Sequence, residues 1–387
     1  MSHFTQLHRV RQGMPTTRKQ IYLNSGTFGP LPACVSQTMQ KRMQTEWRNG
    51  RAGTQFFRDM ADIYANARLG VARLLNADVE EIALTESTGE GLNIVGYGLN
   101  WQVGDEVITT THEHISALGP LYQLRDRFGI IIHFADIGAH ADQSVLAAIS
   151  ALVTKRTRLI CLSHVTWTTG TRLDIHAVAQ LGRECGIPVL VDGAQSAGAI
   201  PVDVKALDVD FYAIPMQKWL CGPDGTGALY VRSASLHSIA STYVGYWSVK
   251  DEESAEWELC TSAQRFESGG RQTAALAGQA AVLHWLEHYV GYPWIFERIA
   301  KLSTYAYQAL QQVPGITLLT PEPGKSGLVT FTLDGHDSAD VVKQLQEKYS
   351  IQIRSIRASN ALRISTGFYN TEREIDVLVR VLASYSG

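Results

Sequence analysis

The chain has 387 residues, which is too many for one ordinary hydrophobic core and suits two domains. With 45% hydrophobic and 18% charged residues, its composition excludes a disordered or fibrous protein. A net charge of −3 gives no reason to expect nucleic acid or a membrane as partner, and no apolar run is long enough to span a bilayer. The five scattered cysteines lack CxxC spacing, and the first residues lack the apolar core of a secretion signal. We therefore expect a cytoplasmic protein without disulfides or a metal site.

In chain order, the sequence predicts strands that alternate with helices. A short strand near residues 20–23 precedes helical periodicity from about Ala33 to Leu75. Strand-like runs separated by helical stretches follow: Ile82–Leu84, Glu106–Thr110, Ile130–Phe134, Arg158–Ser163, Val189–Asp192, Phe211–Ile214 and Ala228–Val231. This alternation is typical of a mostly parallel sheet with right-handed crossovers.

The pattern changes from about residue 272. A long helical region reaches Val313, and the later segments read as strands at 327–333, 351–356 and 362–365 and a helix at 338–348. Thr371 and Glu374 form a capping box for a last helix over 371–384. We predict an α/β protein with an amino-terminal arm (1–32), a large domain (33–271) with a mostly parallel seven-stranded sheet, and a smaller α+β domain (272–387).

The most informative residues are Asp192 and Lys218. An apolar run ends on Asp192, and a second run ends shortly before Lys218, ahead of the glycine-rich turn 221–227. Adjacent parallel strands would bring both residues to the carboxyl edge of one sheet, where open α/β folds bind ligands. A lone lysine is usually solvated, but a buried acid–lysine pair suits pyridoxal phosphate. The lysine forms a Schiff base with this cofactor, and the acid keeps its ring nitrogen protonated.

The residues around this pair resemble the class V aminotransferases, a group of fold-type-I pyridoxal phosphate enzymes. The family includes cysteine desulfurases, isopenicillin N epimerase-like proteins and cysteine/cystine C–S lyases, and the resemblance extends from Tyr22 to the last helix. It is carried by Asp192–Gly198, Lys218-Trp219 and Leu362–Asp376. Within the family the chain is most similar to the cyanobacterial-type C–S lyases, through Gly98–Trp101, Gly104–Glu106, parts of Ser163–Gly170, Thr242–Gly245 and Arg265–Glu267.

The resemblance implies the residues that hold the cofactor ring. Lys218 and Asp192 are the catalytic pair, and His114 stacks on the pyridine face, where it could relay a proton. His112 is the alternative for that position. Gln195, three residues after Asp192, is expected to donate a hydrogen bond to the ring hydroxyl oxygen.

The resemblance also implies a phosphate site and a substrate site. Thr88 and Gly89 lie where a strand gives way to a helix, so backbone N–H groups at that helix N-terminus would bind the phosphate. Arg363 matches the arginine that binds the substrate α-carboxylate through a bidentate contact. Asn24 belongs to the amino-terminal loop expected to approach the same carboxylate.

Several positions depart from the family pattern. Gln217 replaces a histidine before the lysine, and Pro215 replaces a hydroxyl donor. Thr168 replaces an asparagine near the ring oxygen. Gly270 stands where a threonine of the partner subunit usually reaches the phosphate, and Tyr246 replaces a tryptophan of the lyase substrate pocket. We expect a homodimer whose shared active sites include residues around 243–247 and 267–271.

The resemblance leaves the reaction open among several outcomes. Cysteine desulfurases need a nucleophilic cysteine on the loop before the carboxylate-binding arginine, and residues 354–362 contain none; Cys260 lies far upstream. The leading hypothesis is β-elimination by a C–S lyase acting on cysteine, cystine or a related β-substituted amino acid. An aminotransferase or an isopenicillin N-type epimerase is the alternative, and a non-catalytic cofactor-binding protein is disfavoured.

Overall fold

The computed structural model describes residues 3–251, 253–254 and 256–385. Within them, the largest sheet has seven strands in the spatial order β2-β8-β7-β6-β5-β3-β4. The strands are β2 (Ile82–Thr85), β3 (Glu106–Thr110), β4 (Ile131–Ala135), β5 (Thr157–Ser163), β6 (Val189–Asp192), β7 (Phe211–Pro215) and β8 (Gly227–Val231). Only β8 runs against its neighbours in this sheet, so the predicted mostly parallel, seven-stranded sheet is confirmed.

The sheet is buried on both faces, which explains why its strands read as continuous apolar runs. Every residue of β6 and β7 is buried. Successive side chains point to opposite layers, so Leu190 and Phe211 join one hydrophobic cluster while Val191 and Tyr212 join the other. The helices that follow the strands cover these faces: α4 (Thr88–Gly98), α5 (Ile115–Phe128), α6 (Val145–Ser150), α7 (Ile175–Cys185) and α8 (Val204–Leu207).

The predicted helical region from 33 to 75 is two helices, α2 (Ala33–Asn49) and α3 (Thr54–Leu75). Gly50 and Gly53 between them have φ values of 81° and 92°, which interrupt helical geometry. Both helices pack on α9 (Thr273–His284), which continues through a π-helical turn (Trp285–Val290) toward α10 (Tyr292–Gln311). An additional helix, α1 (His3–Gln12), precedes the arm's strand β1 (Ile21–Tyr22).

The carboxyl-terminal region forms a smaller antiparallel sheet in the order β12-β13-β10-β9. Its elements are β9 (Ile316–Leu318), β10 (Leu328–Leu333), α11 (Ser338–Tyr349), β12 (Arg354–Ile356), β13 (Ala361–Ser365) and α12 (Glu372–Ala383). The predicted strand 351–356 is instead two strands, because β11 (Ile351–Gln352) pairs with β1 of the arm. Thr371 and Glu374 form the predicted capping box. The domain boundaries at 32 and 271 remain predictions.

The amino-terminal arm reaches the turn that carries Lys218. The Gly29 N–H donates to the Gln217 carbonyl over 2.7 Å. A Cβ atom at Gly29 would lie only 2.1 Å from the Lys218 carbonyl oxygen, so the approach requires glycine.

In the described part of the chain, no helix is both long and apolar enough to cross a membrane.

We expect Gly29→Ala to lower the free energy of unfolding by about 2 kcal/mol, because the added methyl forces the arm away from the lysine turn. Gly119→Ala is the matched control, since a Cβ there meets open space inside α5. That change should be neutral or stabilising by up to about 1 kcal/mol. Urea unfolding measures both, and equal midpoints for the two variants would contradict the tight approach at Gly29.

Candidate active site

A cavity of about 280 Å³ lies at the carboxyl edge of the large sheet. The arm contributes residues 26–28, and the remaining walls come from segments that follow the strands and from the smaller sheet. Sequence-predicted residues in its lining are Thr88, Gly89, His114, Asp192, Gln195, Gln217, Lys218 and Arg363. The carboxyl edge is where parallel α/β sheets place their ligands.

Asp192 and Lys218 come together because β6 and β7 are parallel neighbours. Asp192 ends β6 beside Ala213 of β7, and Lys218 follows the end of β7. The Ala194 N–H donates to Asp192 Oδ1 over 2.8 Å. Burial raises the pKa of the Asp192 carboxyl, and the Lys218 ammonium opposes that rise. Burial lowers the pKa of Lys218 to about 8, so this amine gives up its proton more readily than a solvated lysine.

His114 is held as a neutral ring at the cavity wall. It is the N-cap of α5, and its Nδ1 accepts from the Ser116 N–H at 3.2 Å and contacts the Ser116 hydroxyl at 2.9 Å. The indole of Trp167 meets the imidazole edge-on, with centroids 5.3 Å apart. Burial and the nearby cation of Lys218 lower the pKa of His114 to about 4. The ring is therefore uncharged at neutral pH.

His112, the competing histidine, is occupied elsewhere. Its Nε2 lies 2.7 Å from the Gly138 carbonyl, and its Nδ1 lies 2.6 Å from Thr168 Oγ1. These contacts fix the ring, and they also explain why Thr168 lies outside the cavity lining. Of the two candidate histidines, only His114 lines the cavity.

Several buried polar atoms lack a protein partner where a phosphate and a ring would lie. Thr88 Oγ1 and Gln217 Oε1 are buried without a hydrogen bond among the described residues. Thr88 begins α4, and a Cβ atom at the next residue, Gly89, would only reach ordinary contact distance from Ser87 Oγ (3.6 Å) and Ser116 Cβ (3.9 Å). Gln195 is oriented by donating to the Gly26 carbonyl at 2.8 Å and accepting from Trp219 Nε1 at 2.9 Å.

Arg363 supplies the positive charge at the substrate end. It is buried, with Nη1 donating to the Trp167 carbonyl at 2.7 Å and Nη2 to Thr27 Oγ1 at 3.4 Å. Arg354 stands directly opposite it in the antiparallel pair β12–β13 and also lines the cavity. Burial lowers the pKa of Arg363 to about 9, and Arg354 acts in the same direction. The two guanidinium groups repel each other, and an anion bound between them would relieve that repulsion.

Three other predicted residues lie outside the cavity lining. Asn24 contacts the lining residue Thr27, because its Oδ1 accepts a hydrogen bond from Thr27 Oγ1 at 2.8 Å. Tyr246 and Gly270 are exposed, and the Gly270 N–H donates to the Tyr246 hydroxyl at 2.7 Å. Their assignment to a partner's site stays a prediction.

Sequence reasoning missed Glu113, which does not line the cavity but accepts a hydrogen bond from Ser163, which does. It lies beside His114 and is buried at the junction of β3 and β5. Its carboxylate accepts from the Thr110 hydroxyl at 2.6 Å and from the Ser163 hydroxyl at 2.5 Å. A charged residue between two candidate histidines was the available signal, but its burial depends on tertiary packing.

A fold of this kind with an acid–lysine pair at the carboxyl edge defines a fold-type-I pyridoxal phosphate enzyme. The chain belongs to the class-V aminotransferase family, whose model matches residues 21–378. Pyridoxal phosphate is the cofactor of this family, and the cavity fits it. The Asp192 carboxylate suits the ring nitrogen, and the unpaired Thr88 hydroxyl, which can donate a hydrogen bond, suits the phosphate.

Known proteins similar over most or nearly all of the chain carry two kinds of description. A probable cysteine desulfurase of Methanothermobacter thermautotrophicus is 28% identical, over 99% of both chains. The cysteine desulfurase of Salmonella agona is 33% identical over 81% of this chain and 80% of its own. The solved structure of the cystine C–S lyase C-DES with its product cysteine persulfide superposes with a TM-score of 0.91 at 29% identity, covering 96% of this chain and 99% of its own.

We expect Glu113 to make stability fall as pH rises from about 5 to about 7. Burial raises the pKa of Glu113 from 4.5 to about 7, so the folded protein keeps this proton after the unfolded chain has lost it. The free energy of unfolding then decreases with pH between those values, by about 3 kcal/mol in total. Glu113→Gln should remove this contribution.

Urea unfolding of the cofactor-free protein at several pH values measures the slope. Glu80→Gln, at an exposed glutamate, is the control and should keep the wild-type slope. An unchanged slope in Glu113→Gln would show that this carboxyl titrates like a solvated one.

Proposed function

We propose that this pyridoxal phosphate enzyme is a C–S lyase that cleaves the Cβ–S bond of cysteine, cystine or a related β-substituted amino acid. With cysteine, the reaction consumes one water and yields pyruvate, ammonia and hydrogen sulfide. With cystine, the sulfur leaves as cysteine persulfide, again with pyruvate and ammonia. No oxidant or reductant is needed in either case.

The observation that carries this proposal is the absence of a thiol at the cavity among the described residues. No cysteine lines it, and the segment between β12 and β13 is a short exposed turn (Arg357–Ser359) followed by Asn360. A persulfide-forming desulfurase needs a cysteine there to attack the substrate sulfur. Elimination needs only the cofactor, a base and a leaving group.

Cys260 does not replace the missing thiol. Its Sγ lies 3.7 Å from the Trp247 carbonyl oxygen, and it does not line the cavity of its own chain. Burial raises the pKa of Cys260, so its thiol is less ionised than a free one. The remaining cysteines are Cys34, Cys161, Cys185 and Cys221, and none of them lines the cavity.

Residue roles follow from the geometry of the cavity. When bound, pyridoxal phosphate withdraws electrons from the Cα atom of the amino acid attached to it. The Lys218 amine, with its lowered pKa, is the base that takes the Cα proton. Asp192 would hold the ring nitrogen in its protonated form, and the neutral His114 would line the face of the ring. Arg363 binds the α-carboxylate and so orients the Cα–H bond.

The second arginine favours cystine among the possible substrates. Arg354 has no carboxylate partner in the described part of the chain and shares the cavity with Arg363. An amino acid with one carboxylate uses only one of these guanidinium groups. Cystine carries a second carboxylate on its leaving half, which the second guanidinium can bind.

We expect the purified holoenzyme to release pyruvate and ammonia from cystine and cysteine without forming alanine. Alanine is the product that a persulfide-forming desulfurase would leave. Lactate dehydrogenase-coupled absorbance measures pyruvate, and amino-acid analysis measures alanine. Alanine in place of pyruvate would establish a desulfurase, whereas amino transfer to a keto acid or loss of Cα stereochemistry would establish an aminotransferase or an epimerase.

Two variants sharpen this assay. Lys218→Ala should abolish product formation and the borohydride-sensitive yellow colour, because it removes the amine that binds the cofactor. Cys260→Ser should keep the wild-type rate of pyruvate formation. A large loss in Cys260→Ser would place a thiol in the reaction.

We also propose that two copies of the chain share their active sites. The segment that bears Tyr246 exposes several apolar side chains, with Tyr243 74% and Tyr246 52% exposed. Exposed aromatic clusters of this kind mark protein interfaces. Tyr246 therefore suits a position in the partner subunit's cavity.

Co-expressing Lys218→Ala with Tyr246→Ala chains tests the sharing. If Tyr246 serves the partner's cavity, each mixed dimer has one intact site, and purified mixed dimers recover about half of the wild-type activity. If Tyr246 serves its own chain, both sites of the mixed dimer are defective and no recovery occurs. Differently tagged chains allow the mixed dimers to be isolated.

A further inference from the structure

A second, larger cavity adjoins the catalytic one. Its volume is about 610 Å³, compared with about 280 Å³ for the catalytic cavity. Trp167 and Arg354 line both cavities, so these two side chains form the boundary between them. Helix α11 and the segment 355–358 form the other walls. The two cavities therefore adjoin at Trp167 and Arg354.

The charge of the second cavity has one sign. Lys343, Arg354 and Arg357 line it, whereas no lining residue is an aspartate or a glutamate. Within the described ranges, none of the three cations forms an ion pair. Unpaired cations around a concave surface attract and hold anions. Val342 and Ile356 add an apolar strip between them.

The catalytic cavity is too small for a large leaving group. It must hold the cofactor and the amino acid attached to it, and about 280 Å³ leaves little further room. A leaving group that extends past Arg354 and Trp167 reaches the second cavity. At this boundary the Trp167 Nε1–H is buried and has no partner among the described residues, so it can donate to a passing ligand.

We propose that the second cavity is a leaving-group subsite for disulfides of cysteine with a larger, carboxylate-bearing peptide thiol. The subsite rests on the proposed C–S lyase function. The Cβ–S bond breaks, and its electron pair leaves on sulfur as R–S–S⁻, which takes up one proton. One water hydrolyses the three-carbon remainder to pyruvate and ammonium, so the reaction is redox-neutral. Lys343 and Arg357 bind the carboxylates of the peptide.

Kinetics with two substrates test this subsite in the holoenzyme. The probes are L-cystine and the mixed disulfide of L-cysteine with γ-glutamylcysteinylglycine, each assayed for pyruvate. We expect the ratio of kcat/KM for the mixed disulfide to that for cystine to fall on the order of tenfold in the double variant Lys343→Gln/Arg357→Gln. Lys348→Gln is the matched control, because this exposed lysine lies on α11 outside the cavity and should leave the ratio unchanged.

An unchanged ratio in the double variant, or a wild-type enzyme that cleaves cystine but not the mixed disulfide, overturns the subsite. If neither disulfide yields pyruvate, the lyase function has failed, and a binding measurement decides the subsite separately. Calorimetry with γ-glutamylcysteinylglycine sulfonate, which cannot be eliminated, should then show binding that the double variant loses. No binding to the wild-type holoenzyme overturns the subsite.

Discussion

The parallel pairing of β6 with β7 is the interaction on which the rest of the site depends. It brings Asp192 and the turn bearing Lys218 to one edge, where burial shifts the pKa of each. The lowered pKa of Lys218 makes its amine available as a base, while Asp192 supplies the fixed negative charge that a pyridinium nitrogen requires. Gly29 of the arm packs closely against this turn.

Excess positive charge governs what the cavity binds. Asp192 is the only carboxylate among the described residues that line it, against the cations of Lys218, Arg354 and Arg363. Burial is the main cause of the lowered pKa of His114, and these cations add to it; they also favour ligands with a phosphate and more than one carboxylate. The same imbalance continues into the neighbouring cavity beside α11, where two further cations lie. Cofactor binding, substrate choice and the leaving-group subsite thus share one electrostatic origin.

The proposed lyase function is supported by the absence of a cysteine from the cavity lining among the described residues, and overall identity does not decide it. Relatives at 28–33% identity are described as cysteine desulfurases, while a structure at 29% identity is described as a cystine C–S lyase. Identity at this level establishes the family and its cofactor chemistry. In the proposed scheme, the product formed from the substrate sulfur depends on whether a cysteine thiol can attack it. The position for such a thiol is the short segment between β12 and β13.

The sequence by itself determined the seven-stranded sheet, the capping box at Thr371 and the acid–lysine pair, because strand periodicity and turn chemistry are local. It could not place Glu113 or Arg354, and it predicted one strand over residues 351–356 where the structure has two. Burial of Glu113, the opposition of Arg354 to Arg363 and the pairing of β11 with the arm all join residues distant in sequence. Only tertiary structure decides such contacts, since they depend on how whole elements pack.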